Sequence, residues 1–242
     1  MSSDSSDHHP FSIAEHIRAA ARDDSLKITR SELAAFAAAT FARVGEELHV
    51  LGHIVGPDRK AGESPWGHGS DETVGVSMLL RIAAELGSAT SDLFKDGRQY
   101  AAASMLRQVV EVEYLAWAFE ARDRDAERWI RSDRGARMKF FTPAKLRLAA
   151  QGRFRSKDYW YHCEFGGHPV PPGFMLLAAN PDVPQLFLAD LLGHLGRIWD
   201  HLVGWAGGAE HGEPILKQCD QMLQRFQEWK ASDPLASLPP PP

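Results

Sequence analysis

The chain has 242 residues, of which 44% are hydrophobic, 24% charged and 10% aromatic, the mix of a globular protein and not of a disordered or fibrous one. With 27 Lys and Arg against 32 Asp and Glu, the net charge of -5 gives no overall pull toward nucleic acid or an anionic membrane. Two cysteines, Cys163 and Cys219, exclude a disulfide framework and a cysteine-based zinc site, and they fit a reducing cytoplasm. No apolar run approaches the roughly 18 residues that span a bilayer, and Met1 to Pro10 has no apolar centre of a signal peptide, so neither a membrane nor export is expected.

In chain order, residues 1–10 are rich in Ser, Asp and His and are expected to be disordered, as is the Pro-rich tail 233–242. Between them lies a single domain, 11–232. Its hydrophobic period is helical almost throughout, and no β-branched alternation marks strands. The pattern predicts helices over 11–22, 29–55, 72–95, 98–121, 123–140, 143–150, 156–165, 183–207 and 213–231. Thr29 or Ser31 is a candidate cap for the second, Gly97 separates the third from the fourth, and Pro143 and Pro214 suit first turns. Gly56 to Asp71 and Gly166 to Pro184 are punctuated by Gly and Pro and read as irregular surface segments. The expected fold is therefore an all-α helical bundle with long core helices and one Gly/Pro-rich irregular segment.

The polar residues that interrupt apolar faces are the candidates for function. On the 98–121 helix, Ala102, Leu106, Val109, Val110, Ala116 and Trp117 share one broad arc, and Glu113 falls inside it. A carboxylate there must be paired, protonated or metal-bound, because burying it alone is costly. Arg107 and Glu111 stand four apart at the edge of that arc, spaced to pair along the helix. The 183–207 helix carries a polar ribbon, Asp190, His194, Arg197 and His201, beside its apolar stripe of Phe187, Leu191, Leu195, Ile198 and Leu202.

A metal reading rests on Glu46, His49 and His53, which at i, i+3 and i+7 share one side of a helix. Glu-x-x-His is the ligand element of di-iron bundles, though such bundles need two copies and this chain supplies one. Nitrogen and oxygen ligands of this kind also suit one zinc or manganese ion.

Charge is unevenly spread. Residues 122–157 hold twelve basic against four acidic residues, while the rest of the chain holds fifteen against twenty-eight. Arg124, Arg128 and Arg131 share a helix face, and Arg153, Arg155 and Lys157 follow, with Phe154, Tyr159, Trp160 and Tyr161 close by. Cations that neutralise phosphates and rings that stack on bases are the pairing of single-stranded nucleic-acid sites. The competing reading is that these arginines pair with acidic surface of the protein itself or of a partner subunit.

The stretch Ala101 to Trp117, AAASMLRQVVEVEYLAW, an arginine-rich connector and then Tyr159 to Pro169, YWYHCEFGGHP, resemble an uncharacterised family of bacterial helical proteins. Its members carry an Arg-x-x-x-Glu core helix and a later Tyr and His-Pro element, and its architecture is similar to HEPN-like bundles, many of which are metal-independent ribonucleases of defence or toxin type. The resemblance implies Arg107 and Glu111 as site residues in the first element, and His168 in the second with Tyr161 and Glu164 beside it. The HEPN ribonuclease signature, an arginine followed after four to six residues by a histidine, is matched by Arg155 with His162 and by Arg43 with His49. Together these readings give a candidate polar centre of Arg107, Glu111, Glu113, His162, Glu164, His168 and His201. The implied activity is RNA cleavage without metal or cofactor, His162 or His168 acting as base while Arg107 or Arg155 holds the phosphate. The implied assembly is a homodimer. Two other classes compete: a non-catalytic interaction or scaffolding module, in which Arg107, Glu111 and Glu113 only fix helix register, and the metal-binding bundle of Glu46, His49 and His53.

Overall fold

The computed structural model describes residues 10–54, 70–122, 124–178 and 180–237, with side chains for all of these except 10–13, 53, 54 and 167. Among the described residues there is no strand. The helices are α1 (Pro10–Arg22), α2 (Asp24–Ile54), α3 (Asp71–Lys95), α4 (Gln99–Ala121), α5 (Asp125–Ile130), α6 (Arg134–Phe140), α7 (Pro143–Ala149), α8 (Ser156–His162), α9 (Val183–Ala206) and α10 (Glu213–Ser232). A π-helical turn, Cys163–Gly167, extends α8, and 3-10 turns cover Pro171–Leu177 and Pro234–Ser237. The expected all-α helical bundle is what the chain forms, and no described helix is long and apolar enough to cross a membrane. Residues 1–9 and 238–242 of the two tails expected to be disordered, and 55–69 of the Gly/Pro loop, lie outside the described residues.

Local chemistry explains where the elements depart from their predicted bounds. The single helix expected over 123–140 divides into α5 and α6. Asp133 leaves the helical backbone with ψ at -179° and its carboxylate accepts the Ala136 N–H at 2.7 Å, so it caps a new helix. The start of α2 is set by Asp23, which accepts the Leu26 N–H at 3.0 Å. Thr29, a candidate cap, lies inside that helix, its hydroxyl donating to the Ser25 carbonyl. Gly97, at φ +73°, turns the chain between α3 and α4.

α4 and α9 form the centre: α4 packs on α3 and α9, and α3 packs on α2. Leu106, Val109 and Ala116 of α4 meet Leu191, Leu195, Ile198 and Leu202 of α9 in one core, all without measurable exposure. Phe41 of α2 stacks on Trp199 with centroids 5.6 Å apart, adding aromatic contact to the apolar area removed from water.

One buried ion pair ties the ends of the bundle together. Asp233, expected in the disordered tail, is 2% exposed and receives Arg30 Nε at 2.6 Å, Arg30 Nη2 at 2.7 Å and Trp229 Nε1 at 2.8 Å. Arg30 also donates to the Ala20 carbonyl and to Gln185 Oε1, so α1, α2, α9 and α10 meet at one guanidinium. The Leu235 N–H donates to Asp233 as well, and the turn after it is ordered for that reason. Burial opposes charge on Asp233, but Arg30, the Leu235 N–H and Trp229 outweigh it and hold the carboxyl below the usual carboxylate range.

Removing one partner strands a buried charge, so Arg30→Ala is expected to cost about 3–5 kcal/mol in urea unfolding. Because the folded carboxyl titrates lower than the unfolded one, the ionised form stabilises the fold above the unfolded value of about 3.9. The stability gap between the wild type and Asp233→Asn is therefore expected to be full above about pH 5 and to close as pH falls below about 4. A gap that is constant with pH contradicts this assignment.

Candidate functional site

Glu113 occupies the middle of the apolar face of α4 and is 3% exposed. Its partners come from the polar ribbon of α9. His194 Nδ1–H donates to Glu113 Oε2 at 2.5 Å, and Arg197 Nε donates to Oε1 at 2.9 Å. Spaced by three residues, His194 and Arg197 reach the two oxygens of one carboxylate from adjacent points of the same helix. Burial alone pushes the Glu113 carboxyl up, but His194 and Arg197 overcome it and hold the group at about 2. On the other side of the ring, His194 Nε2 faces Asp190 Oδ1 at 3.5 Å.

His162, at the end of α8, enters from the opposite side. Its Nε2 lies 3.6 Å from Asp190 Oδ2, and its ring stands edge-on to His194 at 5.2 Å between centroids. Burial drives the His162 imidazole down to about 4, against the pull of Asp190. Burial and Arg197 also oppose a proton on His194, yet Asp190 and Glu113 prevail and raise it. For Asp190, burial is outweighed by the facing His194, His162 and Arg197, which bring the carboxyl to about 2. Each of His162, Asp190 and His194 offers a ligand atom within 4.8 Å of the other two, the one such group of at least three His, Cys, Asp or Glu among the described residues.

These groups form the floor of a cleft of about 380 Å³ between α4, α8, α9 and the segment before α8. The exposed side chains of Arg153 and Arg155 line its rim with Asp158, whose carboxylate accepts from Arg155 Nε at 2.9 Å. Farther along α9, His201 donates to Glu120 of α4 at 2.5 Å, and both face the cleft. Among the described lining residues, the carboxylates Glu113, Glu120, Asp158, Asp190 and Asp200 outnumber the guanidiniums of Arg153, Arg155 and Arg197.

Two contacts hold α8 in place. Gly166, in the π-helical turn, lies so close to α4 that an added Cβ would stand 2.4 Å from the Ala103 carbonyl carbon, and its own carbonyl accepts from Ser104 Oγ at 2.5 Å. Only glycine permits that approach. Tyr159 donates to Glu111 at 2.9 Å and accepts from Arg107 at 3.2 Å, while Arg107 also bonds Glu111 and the Arg147 guanidinium lies 4.2 Å over the tyrosine ring.

Of the candidate centre, the structure thus brings Glu113, His162 and His201 to one cleft. Arg107 and Glu111 pair around Tyr159 and do not line it. Glu164 is exposed on the π-helical turn, and the exposed His168 receives the Tyr100 hydroxyl on its backbone carbonyl at 2.9 Å. Within the basic segment, Arg153 and Arg155 line the cleft, whereas Lys157 is exposed outside it. Arg124 pairs with Glu127, Arg128 with Asp125, and Arg131 with Asp71 and Glu127. Glu46 is exposed with Arg81 3.8 Å away, His49 is half-buried, and the His53 side chain lies outside the described residues. Asp190, His194 and Arg197 were visible in sequence only as a ribbon on a helix margin, and Asp158, Glu120 and Asp200 carried no signal at all. No family model, curated protein or solved structure matches the chain.

Glu113→Ala leaves the buried His194 without its acceptor while the half-exposed Arg197 can turn to solvent, and an expected loss of about 1–3 kcal/mol follows. Chemical denaturation measures it; a loss under about 1 kcal/mol contradicts the clasp as a structural tie.

Proposed function

We propose that the protein acts on RNA, taking a single-stranded phosphodiester chain across the arginine rim of the cleft and cleaving it over the histidine floor. One observation carries this reading: Arg155 and His162, whose spacing resembles the HEPN ribonuclease signature, line the same cleft together with Arg153. Guanidiniums bind phosphate oxygens in a fixed fork, and both are exposed at the rim, Arg155 with its Nε held by Asp158. The buried imidazoles below stand where the phosphorus of a chain held on the rim would be drawn in. A HEPN-like kinship, a cytoplasmic location and a homodimer belong to the same reading, and light scattering at twice the chain mass tests the last of them.

A second reading, an interaction module without chemistry, is favoured by the internal charge balance of the floor, where Glu113 and Asp190 are matched by Arg197 and a protonated His194. Labelled single-stranded RNA separates the two. In the first reading His162→Ala abolishes cleavage while binding persists; in the second there is no cleavage to lose.

For binding, Arg153→Ala with Arg155→Ala is expected to weaken RNA affinity and to make the plot of log K against log salt shallower by about 1.4, the value for two lost single-strand phosphate contacts. Equal affinity and slope for variant and wild type overturn the rim as the RNA contact. Cleavage in chelator that ends in a 2′,3′-cyclic phosphate assigns the floor imidazoles to proton transfer, and cleavage lost in chelator assigns them to a cation.

A further inference from the structure

We infer that His162, Asp190 and His194 form a binding site for one divalent transition-metal ion of the zinc and manganese class, open toward the cleft. The inference rests on reading this cleft as the reactive centre, and it puts a bound ion in place of the metal-free chemistry that the HEPN-like resemblance implies.

Convergence is the first argument. The two Nε2 atoms approach the two oxygens of the Asp190 carboxylate at 3.6 and 3.5 Å, and all three ligand atoms lie within 4.8 Å of one another. Ligand atoms around a tetrahedral ion with bonds of about 2.0–2.1 Å stand about 3.3 Å apart. Each imidazole therefore already stands near the required distance from one oxygen of Asp190, and a carboxylate can present both oxygens to one ion.

The support behind the ligands is the second. A metal-bound imidazole is held by a carboxylate on its other nitrogen, which fixes the tautomer and raises its basicity. Glu113 does this to His194, and Arg197 in turn fixes Glu113. With Nδ1 held by Glu113, it is Nε2 of His194 that faces Asp190 and would exchange its proton for the ion. Two nitrogens and one oxygen suit zinc, manganese or iron better than magnesium or calcium, which prefer oxygen alone. Three protein ligands leave positions for water or a phosphoryl oxygen, as catalytic ions require.

Charge is the third argument. Of the cleft acids, Asp158 is taken by Arg155, Glu113 by Arg197 and His194, and Glu120 by His201, which leaves Asp190 as the carboxylate that faces the two imidazoles. Asp190 lies with the buried imidazoles, while Arg153 and Arg155, with Asp158, lie outward. A divalent ion on the floor reverses the local sign at the place where the rim would deliver a phosphate.

The test uses the full chain without a histidine tag, stripped with chelator and titrated with zinc or manganese chloride by calorimetry. One equivalent is expected to bind, with His162→Ala and Asp190→Asn abolishing it and Glu113→Gln weakening it about 10–100-fold. Should His162→Ala lose its helical circular-dichroism spectrum, His162→Gln replaces it, and the visible spectrum of the cobalt-loaded wild type reports nitrogen ligation directly. Less than a tenth of an equivalent in the wild type, or unchanged affinity in folded His162 and Asp190 variants, overturns the site. Metal uptake without any RNA binding removes the RNA reading and keeps the metal site. RNA cleavage that persists in chelator removes the ion as electrophile and keeps the RNA reading.

Discussion

Everything around the cleft depends on the burial of one carboxylate. Glu113 lies in the middle of the α4 face that builds the core, and an unpaired charge there would cost several kcal/mol. Only a helix that brings a histidine and an arginine to its height relieves that cost. His194 and Arg197 do so together, and because each takes a different oxygen, α9 is fixed against sliding along α4. A shift of one turn, about 5.4 Å, would separate both donors from the carboxylate. The apolar contacts of α4 and α9 supply most of the attraction, but they tolerate small displacements far better than a two-pronged hydrogen bond does.

That register places the rest of the site. Asp190 stands one turn before His194 on the same helix, so fixing His194 fixes the height of Asp190. α8, with seven residues, is too short to be stable alone. It is held by Tyr159 against the Arg107 and Glu111 pair on one side and by the close approach of Gly166 to α4 on the other. Between those anchors His162 is set opposite Asp190. Arg107 and Glu111 thus serve the cleft from outside it, by positioning the helix that carries one of its imidazoles.

The distribution of charge changes character between sequence and space. Residues 122–157 are strongly basic along the chain, yet Arg128 and Arg131, in and just after α5, are matched by Asp125, Glu127 and Asp71, the last contributed by α3. Arg153 and Arg155, from the same segment, instead reach the rim of a cleft whose floor pairs carboxylates with histidines and Arg197. A count along the chain assigns both groups to one surface; the folded protein gives them different neighbours.

Periodicity by itself determined the all-α class, the nine helical stretches that became ten helices among the described residues, and the anomaly of Glu113, because a 3.6-residue repeat and a charge within an apolar arc are local properties of the chain. The polar ribbon of Asp190, His194, Arg197 and His201 was legible for the same reason. Asp133 as a helix start was also local and lay hidden inside a stretch read as one helix. What only the tertiary structure decided was which polar residues meet. Arg30 and Asp233 lie 203 positions apart, and a proline-ended tail carries no trace of the guanidinium that orders it. Asp158 and Glu120 read as ordinary surface acids until the cleft gathers them. Pairing across the bundle depends on the relative height and rotation of whole helices, and those are fixed by long-range packing that no window of sequence contains.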